Sequence, residues 1–92
     1  MGVWYEAFDV TRRPAPDADG RLRPTKALAL NPPGDEVQDK TVAIKIANRR
    51  GATHLRFYNR GGRFEYLRRY AGEGWTRSSA EEFKKELGVV EP

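Results

Sequence analysis

The stretch RFYNRGGRFEYLRR, residues 56–69, decides the fold prediction, because a glycine pair separates two short runs of alternating apolar and polar residues. Such runs on either side of a glycine turn predict a β-hairpin. The same stretch holds five arginines and four aromatic residues. It therefore bears on function as well as on fold.

Residues 41–48, TVAIKIAN, extend this prediction towards the N-terminus. Val42, Ile44 and Ile46 alternate with Ala43, Lys45 and Ala47, which is the pattern of a half-buried strand. Together with the hairpin, this run predicts a three-strand antiparallel meander over residues 41–70.

The register of the predicted hairpin follows from the length of its loop. A loop with an even number of residues around Gly61 and Gly62 places the four apolar residues of the two strands on one face. These are Leu55, Phe57, Phe64 and Tyr66. The opposite face then carries Arg56, Tyr58, Arg60, Arg63, Glu65, Leu67 and Arg69.

The ends of the chain complete an α+β prediction. Residues 3–10, VWYEAFDV, are typical of a strand, and residues 25–31 predict a second, short one. Proline and glycine in residues 11–24 and 31–40 predict mobile loops. We expect one domain over residues 1–92, with an antiparallel sheet of about four to five strands.

A C-terminal helix is predicted at about residues 79–87. Ser79 and Glu82 have the spacing of a capping box, and Gly88 lies where a helix ends. Phe83 and Leu87 form an apolar stripe. Because so short a helix is unstable alone, the stripe must pack on the sheet or on another subunit.

The positive charge of the chain is concentrated in its middle. Residues 41–70 contain eight basic residues and one acidic residue, whereas residues 1–40 contain six and seven, and residues 71–92 three and five. The segment charges are therefore +7, −1 and −2. A basic block between nearly neutral flanks is typical of a surface that binds a polyanion.

Arginines bind phosphates, and aromatic rings stack on unpaired bases, so the basic block predicts a protein that binds single-stranded DNA or RNA without catalysing a reaction. The candidate contact residues are Lys45, Arg49, Arg50, His54, Arg56, Tyr58, Arg60, Arg63, Arg68 and Arg69. The chain has no cysteine and one histidine, so neither a metal site nor a cofactor is expected. The sequence has no apolar run of membrane-spanning length, which favours a cytoplasmic protein.

Residues 56–87 resemble the single-stranded-DNA-binding transcriptional coactivators typified by positive cofactor four. The resemblance lies in an Arg-aromatic strand, a strand end at residues 67–70 (LRRY), a glycine stretch at residues 72–76 (GEGWT) and a helix at residues 80–87 that opens AEEF. It implies a curved four-stranded sheet, a homodimer formed through the C-terminal helix, and single-stranded DNA lying across the sheet. By position, the implied backbone contacts are Arg56, Arg60, Arg63 and Arg68, and the implied stacking groups are Tyr58 or Tyr66.

Two alternatives remain open from the sequence. Residues 49–54, RRGATH, before a strand pair resemble HicA-type toxins, which implies a small ribonuclease that uses His54, although we do not expect here the helix with which that family begins. Arginine and tyrosine are also common in protein interfaces, so the same surface would suit a protein-binding module or small inhibitor.

Overall fold

The computed structural model describes residues 2–12, 27–32, 34–58, 62–70 and 73–88. These residues form a six-stranded antiparallel sheet and two helices, which confirms the α+β prediction. The elements are β1 (Val3–Asp9), β2 (Leu28–Ala29), β3 (Glu36–Val37), α1 (Lys40–Arg50), β4 (His54–Tyr58), β5 (Phe64–Arg68), β6 (Thr76–Arg77) and α2 (Ala80–Leu87). Most of the first predicted loop lies in residues 13–26, outside the described residues.

The strand order is β2-β1-β4-β5-β6, and every neighbouring pair is antiparallel. Both β2 and β3 pair with the same edge of β1, at its two ends. Between β2 and β3, the side-chain amide of Asn31 makes the hydrogen bonds that a neighbouring strand would make. Its Oδ1 accepts from Ala7 N at 2.8 Å, and its Nδ2 donates to Tyr5 O at 2.9 Å. The segment that contains the second predicted loop, residues 31–40, is therefore hydrogen-bonded to β1.

Residues 41–48 are helical, so the predicted first strand of the meander is wrong. Asp39 caps α1 by accepting from Val42 N at 3.1 Å, and Gly51 ends the helix in the left-handed conformation at φ 74°. Ala43 and Ala47, one turn apart, are fully buried. Alanine is the best helix former, and these two small residues let α1 lie close to the sheet.

The predicted register of the hairpin is also wrong. Tyr58 pairs with Phe64, and five residues separate them along the chain, an odd number. Because side chains alternate along a strand, the odd loop exchanges the two faces of β5 relative to the prediction. Leu55 therefore lies opposite Leu67, and Arg56 lies opposite Tyr66.

The sheet has a core on each face. On the α1 face, Tyr5, Ala7, Leu55 and Phe57 pack with the buried alanines of α1. On the α2 face, Phe8 and Ala27 pack with Phe83 and Leu87 of α2, and Tyr66 packs at the edge of this cluster. The one sheet is therefore the middle layer of a three-layer arrangement, with one helix on each side.

The C-terminal helix is confirmed. Ser79 caps α2 by accepting from Glu82 N at 3.1 Å, and Gly88 ends the helix at φ 68°. Phe83 is completely buried and Leu87 is 2% exposed, so the apolar stripe of α2 is covered by the sheet of its own chain. Neither helix in the described part of the chain is long and apolar enough to cross a membrane.

Candidate functional site

The α2 face of the sheet is only partly covered. α2 lies over the half that contains Phe8 and Tyr66, whereas the other half exposes three large rings, those of Trp4, Tyr58 and Phe64. Their exposed fractions are 54%, 37% and 47%. We call these three residues the aromatic surface. Exposed apolar patches on a folded protein commonly mark binding sites.

Contacts between the rings make the aromatic surface continuous. Trp4 stacks on Tyr58 with ring centroids 5.8 Å apart, and Tyr58 lies 5.0 Å from Phe64. The row continues from Phe64 to Tyr66 at 6.0 Å and from Tyr66 to Phe83 of α2 at 5.0 Å. The exposed rings are therefore held in place by a buried one. Trp4 was missed as a site residue, although alternation along VWYEAFD places it on one face with Phe8.

Arg56, which lies beside the aromatic surface, is already paired with a carboxylate. Arg56 lies 5.5 Å from the centroid of the Phe64 ring, and its Nη2 lies 2.6 Å from Glu6 Oε1. Trp4 also donates its indole N–H to Glu36 Oε2 at 3.1 Å. The polar groups beside these rings are thus compensated within the chain, so Arg56 is not a free cation for a phosphate.

Arg68 lies on the same face as Arg56, as the family resemblance implied and the predicted register did not. It lies against α2, where its Nη1 is 2.6 Å from Glu86 Oε1 and 3.5 Å from Glu82 Oε2. The hydrogen bond to Glu86 raises the pKa of Arg68 above its usual range. Arg68 therefore helps to hold α2 on the sheet.

Arg69 holds the end of α1 to the sheet. Its Nε donates to Ala52 O and its Nη1 to Asn48 Oδ1, both at 2.7 Å. Trp75 donates to the same Asn48 oxygen at 2.8 Å, and the Arg69 guanidinium lies 4.7 Å from the centroid of a Trp75 ring. These contacts give Arg69 a structural role, with no need to invoke nucleic-acid binding.

The remaining candidate cations do not lie on the aromatic surface. Lys45, Arg49 and Arg50 are exposed on α1, on the other side of the sheet. Arg63 is exposed next to Phe64, and alternation along β5 turns its side chain to the α1 face. Arg60 lies outside the described residues. The predicted surface, with arginines and aromatic residues together, is therefore divided between two sides of the sheet.

Among the described elements, α1 carries the most positive charge. It contains four cations, Lys40, Lys45, Arg49 and Arg50, and no acidic residue. Lys40 lies 3.9 Å from Glu65, and Arg50 donates to Leu30 O. Lys45 and Arg49 are one turn apart, and among the described residues neither has an ion-pair partner. We call these four residues the basic surface.

His54 is buried between the sheet and α2, with 3% of its surface exposed. Its Nδ1 lies 3.0 Å from Thr53 Oγ1, and its Nε2 lies 3.4 Å from Glu86 Oε2 without a well-aligned hydrogen bond. It borders a cleft of about 550 Å³ that Arg68, Tyr70 and Glu73 also line. The helix α1 precedes the His54 strand, where the sequence predicted a strand, and His54 Nε2 faces Glu86.

The burial of His54 predicts how stability depends on pH. Burial lowers the pKa of His54 below 6.5, and this effect is only partly opposed by Glu86. A neutral buried histidine stabilises the folded state above the pKa of the unfolded chain. The free energy of unfolding should therefore be highest above pH 6.5, fall as the pH drops through 6.5, and level off below the folded pKa. For one proton, the slope is at most about 1.4 kcal/mol per pH unit.

Urea unfolding of the wild type and of His54→Gln between pH 5 and pH 8 tests this prediction. The chain has one histidine, so the difference between the two curves isolates its titration. We expect the difference to decline with falling pH. If wild-type stability rose towards pH 6 instead, a protonated His54 paired with Glu86 would be the better description.

Comparison of the chain with models of protein families, with curated proteins and with solved structures gave no match.

Proposed function

We propose that this protein is a non-enzymatic nucleic-acid-binding module, in the cytoplasm, that holds the phosphate backbone with the basic surface of α1. One observation carries the proposal: α1 contains four cations and no acidic residue, and two of them, Lys45 and Arg49, have no carboxylate partner among the described residues. Arg56 and Arg68 of the sheet, in contrast, are each paired with a carboxylate. Cations without carboxylate partners are the ones able to neutralise phosphates and release counterions.

The spacing of Lys45 and Arg49 is unfavourable for the helix by itself. Lys45 and Arg49 are like charges at i and i+4, which destabilise a helix by a few tenths of a kcal/mol. A bound polyanion would convert this repulsion into attraction for both residues. Arg49 and Arg50 lie in the last turn, where cations interact favourably with the helix dipole and so stabilise the helix.

The double variant Lys45→Ala/Arg49→Ala should bind nucleic acid more weakly and with a smaller dependence on salt. Two lost phosphate contacts reduce the slope of log affinity against log salt by about 1.4 on a single strand and by about 1.8 on a duplex. Fluorescence anisotropy with single- and double-stranded oligonucleotides, at several salt concentrations, measures this slope.

Lys84→Ala/Lys85→Ala is the matched control, since it removes the same charge from exposed positions of α2 on the opposite side of the sheet. We expect the control to bind nearly as the wild type does. An equal loss in both double variants would mean that only net charge matters. No binding by the wild type at low salt would end the proposal.

The preference for single strands rests on the aromatic surface, which lies on the other side of the sheet from α1. A flexible single strand can pass round an edge of the sheet to reach both surfaces, whereas a stiff duplex cannot. Stacking on an exposed ring contributes about 1–3 kcal/mol per base, so Tyr58→Ala should weaken binding to a single strand and leave duplex binding unchanged. If Tyr58→Ala changes neither affinity, the aromatic surface does not contact bases, and α1 alone carries nucleic-acid binding.

A protein partner for the aromatic surface is the second candidate function. It is favoured by the pairing of Arg56 with Glu6, which leaves exposed rings beside compensated charges, as in the centre of many protein interfaces. Partner capture that survives nuclease treatment and is lost in Tyr58→Ala would support this candidate over base stacking.

A further inference from the structure

One edge of β5 is open over part of its length. β6 pairs only with Leu67 and Arg68, and Ser78 N donates to Tyr66 O at 2.8 Å on the same side. Because the backbone groups of residues two apart point to the same side of a strand, Phe64 N–H and C=O also point to this edge. Within the described part of the chain, no strand pairs with them.

The open edge has the features of a docking site for another strand. Phe64 is 47% exposed, and a groove of about 320 Å³ runs along the edge. The groove is lined by Arg63, Phe64, Glu65, Tyr66, Arg77 and Ser78. Unpaired edges are templates for pairing with another chain unless something covers them.

We propose that a second copy of this chain pairs with the open edge, antiparallel, through its own β5, with the two-fold axis at Phe64. In this register Phe64 exchanges both backbone hydrogen bonds with Phe64 of the partner subunit. Arg63 then lies opposite Glu65 of the partner subunit, and Glu65 lies opposite the partner's Arg63. These two pairs are related by the two-fold axis, as an isologous interface requires. Each Glu65 also has Lys40 and Arg77 of its own chain 3.9 Å away.

Other registers fit less well. An axis at Glu65 would place Phe64 opposite the partner's Tyr66, whose carbonyl is already bonded to Ser78. In that register Arg63 would also no longer lie opposite Glu65 of the partner subunit. An interface through α2 would bury little apolar surface, because Phe83 and Leu87 are already covered by the sheet. The axis at Phe64 needs only the backbone groups of Phe64 and places both charges opposite each other. The pairing is limited to residues 63–65, because Ser78 already lies opposite Tyr66.

Two charge reversals test this interface. Arg63→Glu and Glu65→Arg each turn two opposite-charge pairs into two like-charge pairs across the edge. We expect each variant to raise the dissociation constant of the dimer about tenfold or more. A mixture of the two variants restores both attractive pairs, so the two variants should associate with each other more tightly than either associates with itself. Sedimentation equilibrium over a range of chain concentrations, without nucleic acid, measures all four samples.

Glu65 also lies 3.9 Å from Lys40 and from Arg77, so circular dichroism must first show that Glu65→Arg is folded. Arg63 has no ion pair among the described residues. If Glu65→Arg does not fold, Arg63→Glu alone therefore still tests the interface. In wild type, hydrogen exchange at the Phe64 amide should slow as the chain concentration rises. A wild type that stays monomeric at millimolar concentration, reversals that leave dimerisation unchanged, or a mixture that does not associate would each overturn the proposal.

Discussion

Phe83→Ala is expected to reduce the free energy of unfolding by about 3–5 kcal/mol. Phe83 is completely buried, and its ring contacts those of Phe8, His54 and Tyr66, with centroids 6.3, 5.5 and 5.0 Å away. α2 has eight residues, too few for a stable isolated helix, so this contact is what holds it on the sheet. The loss is large against a total stability of about 5–15 kcal/mol for a domain.

Urea unfolding followed by circular dichroism measures the effect of Phe83→Ala. Glu81→Ala, on the exposed side of the same helix, is the matched control and should change stability by less than about 0.5 kcal/mol. A loss of under about 1 kcal/mol in Phe83→Ala would mean that α2 does not cover the sheet as described. Because Tyr66 links Phe83 to Phe64, the variant should also loosen the aromatic surface.

Local signals explain which elements the sequence predicts well. α2 has a capping serine, an apolar stripe and a terminal glycine within ten residues, and each of these acts on its immediate neighbours. β1 and the two hairpin strands are rich in aromatic residues, which favour strands. For these elements, local preference and tertiary packing agree.

α1 escapes prediction because its apolar residues satisfy two periods at once. Val42, Ile44 and Ile46 alternate as in a strand, while Ala43 and Ala47 are one helical turn apart. Short apolar runs are ambiguous by periodicity, and here the flanking caps decide the outcome. Asp39 and Gly51, which lie just outside the run, supply the helix start and stop.

The register and the charge pairing depend on distant parts of the chain. An odd loop between Tyr58 and Phe64 cannot be distinguished from an even one by glycine content alone. Arg56 meets Glu6, fifty residues earlier, and Arg68 meets Glu86, eighteen residues later. The basic block of the sequence therefore does not form one basic surface. Carboxylates from distant parts of the chain pair with Arg56 and Arg68 of the sheet, whereas Lys45 and Arg49 of α1 have no such partner among the described residues.

Ala47→Glu is the second large effect that we expect, a loss of about 3–5 kcal/mol in the free energy of unfolding. Ala47 is fully buried against the α1 face of the sheet, in a cluster with Ala43, Leu55 and Phe57. A glutamate there would bury a carboxylate without a partner, and its extra atoms would also force the helix away from the strands. Denaturant unfolding of this variant measures the loss.

Lys45→Glu is the control that distinguishes a helix from a strand. In a strand, residues 45 and 47 share one face, so the two substitutions would have similar effects. In α1 they do not: Lys45 is exposed, and a glutamate there would attract Arg49 one turn later. We therefore expect Lys45→Glu to change stability by less than about 0.5 kcal/mol. Equal effects of the two substitutions, whether small or large, would contradict a helix packed on the sheet through Ala47.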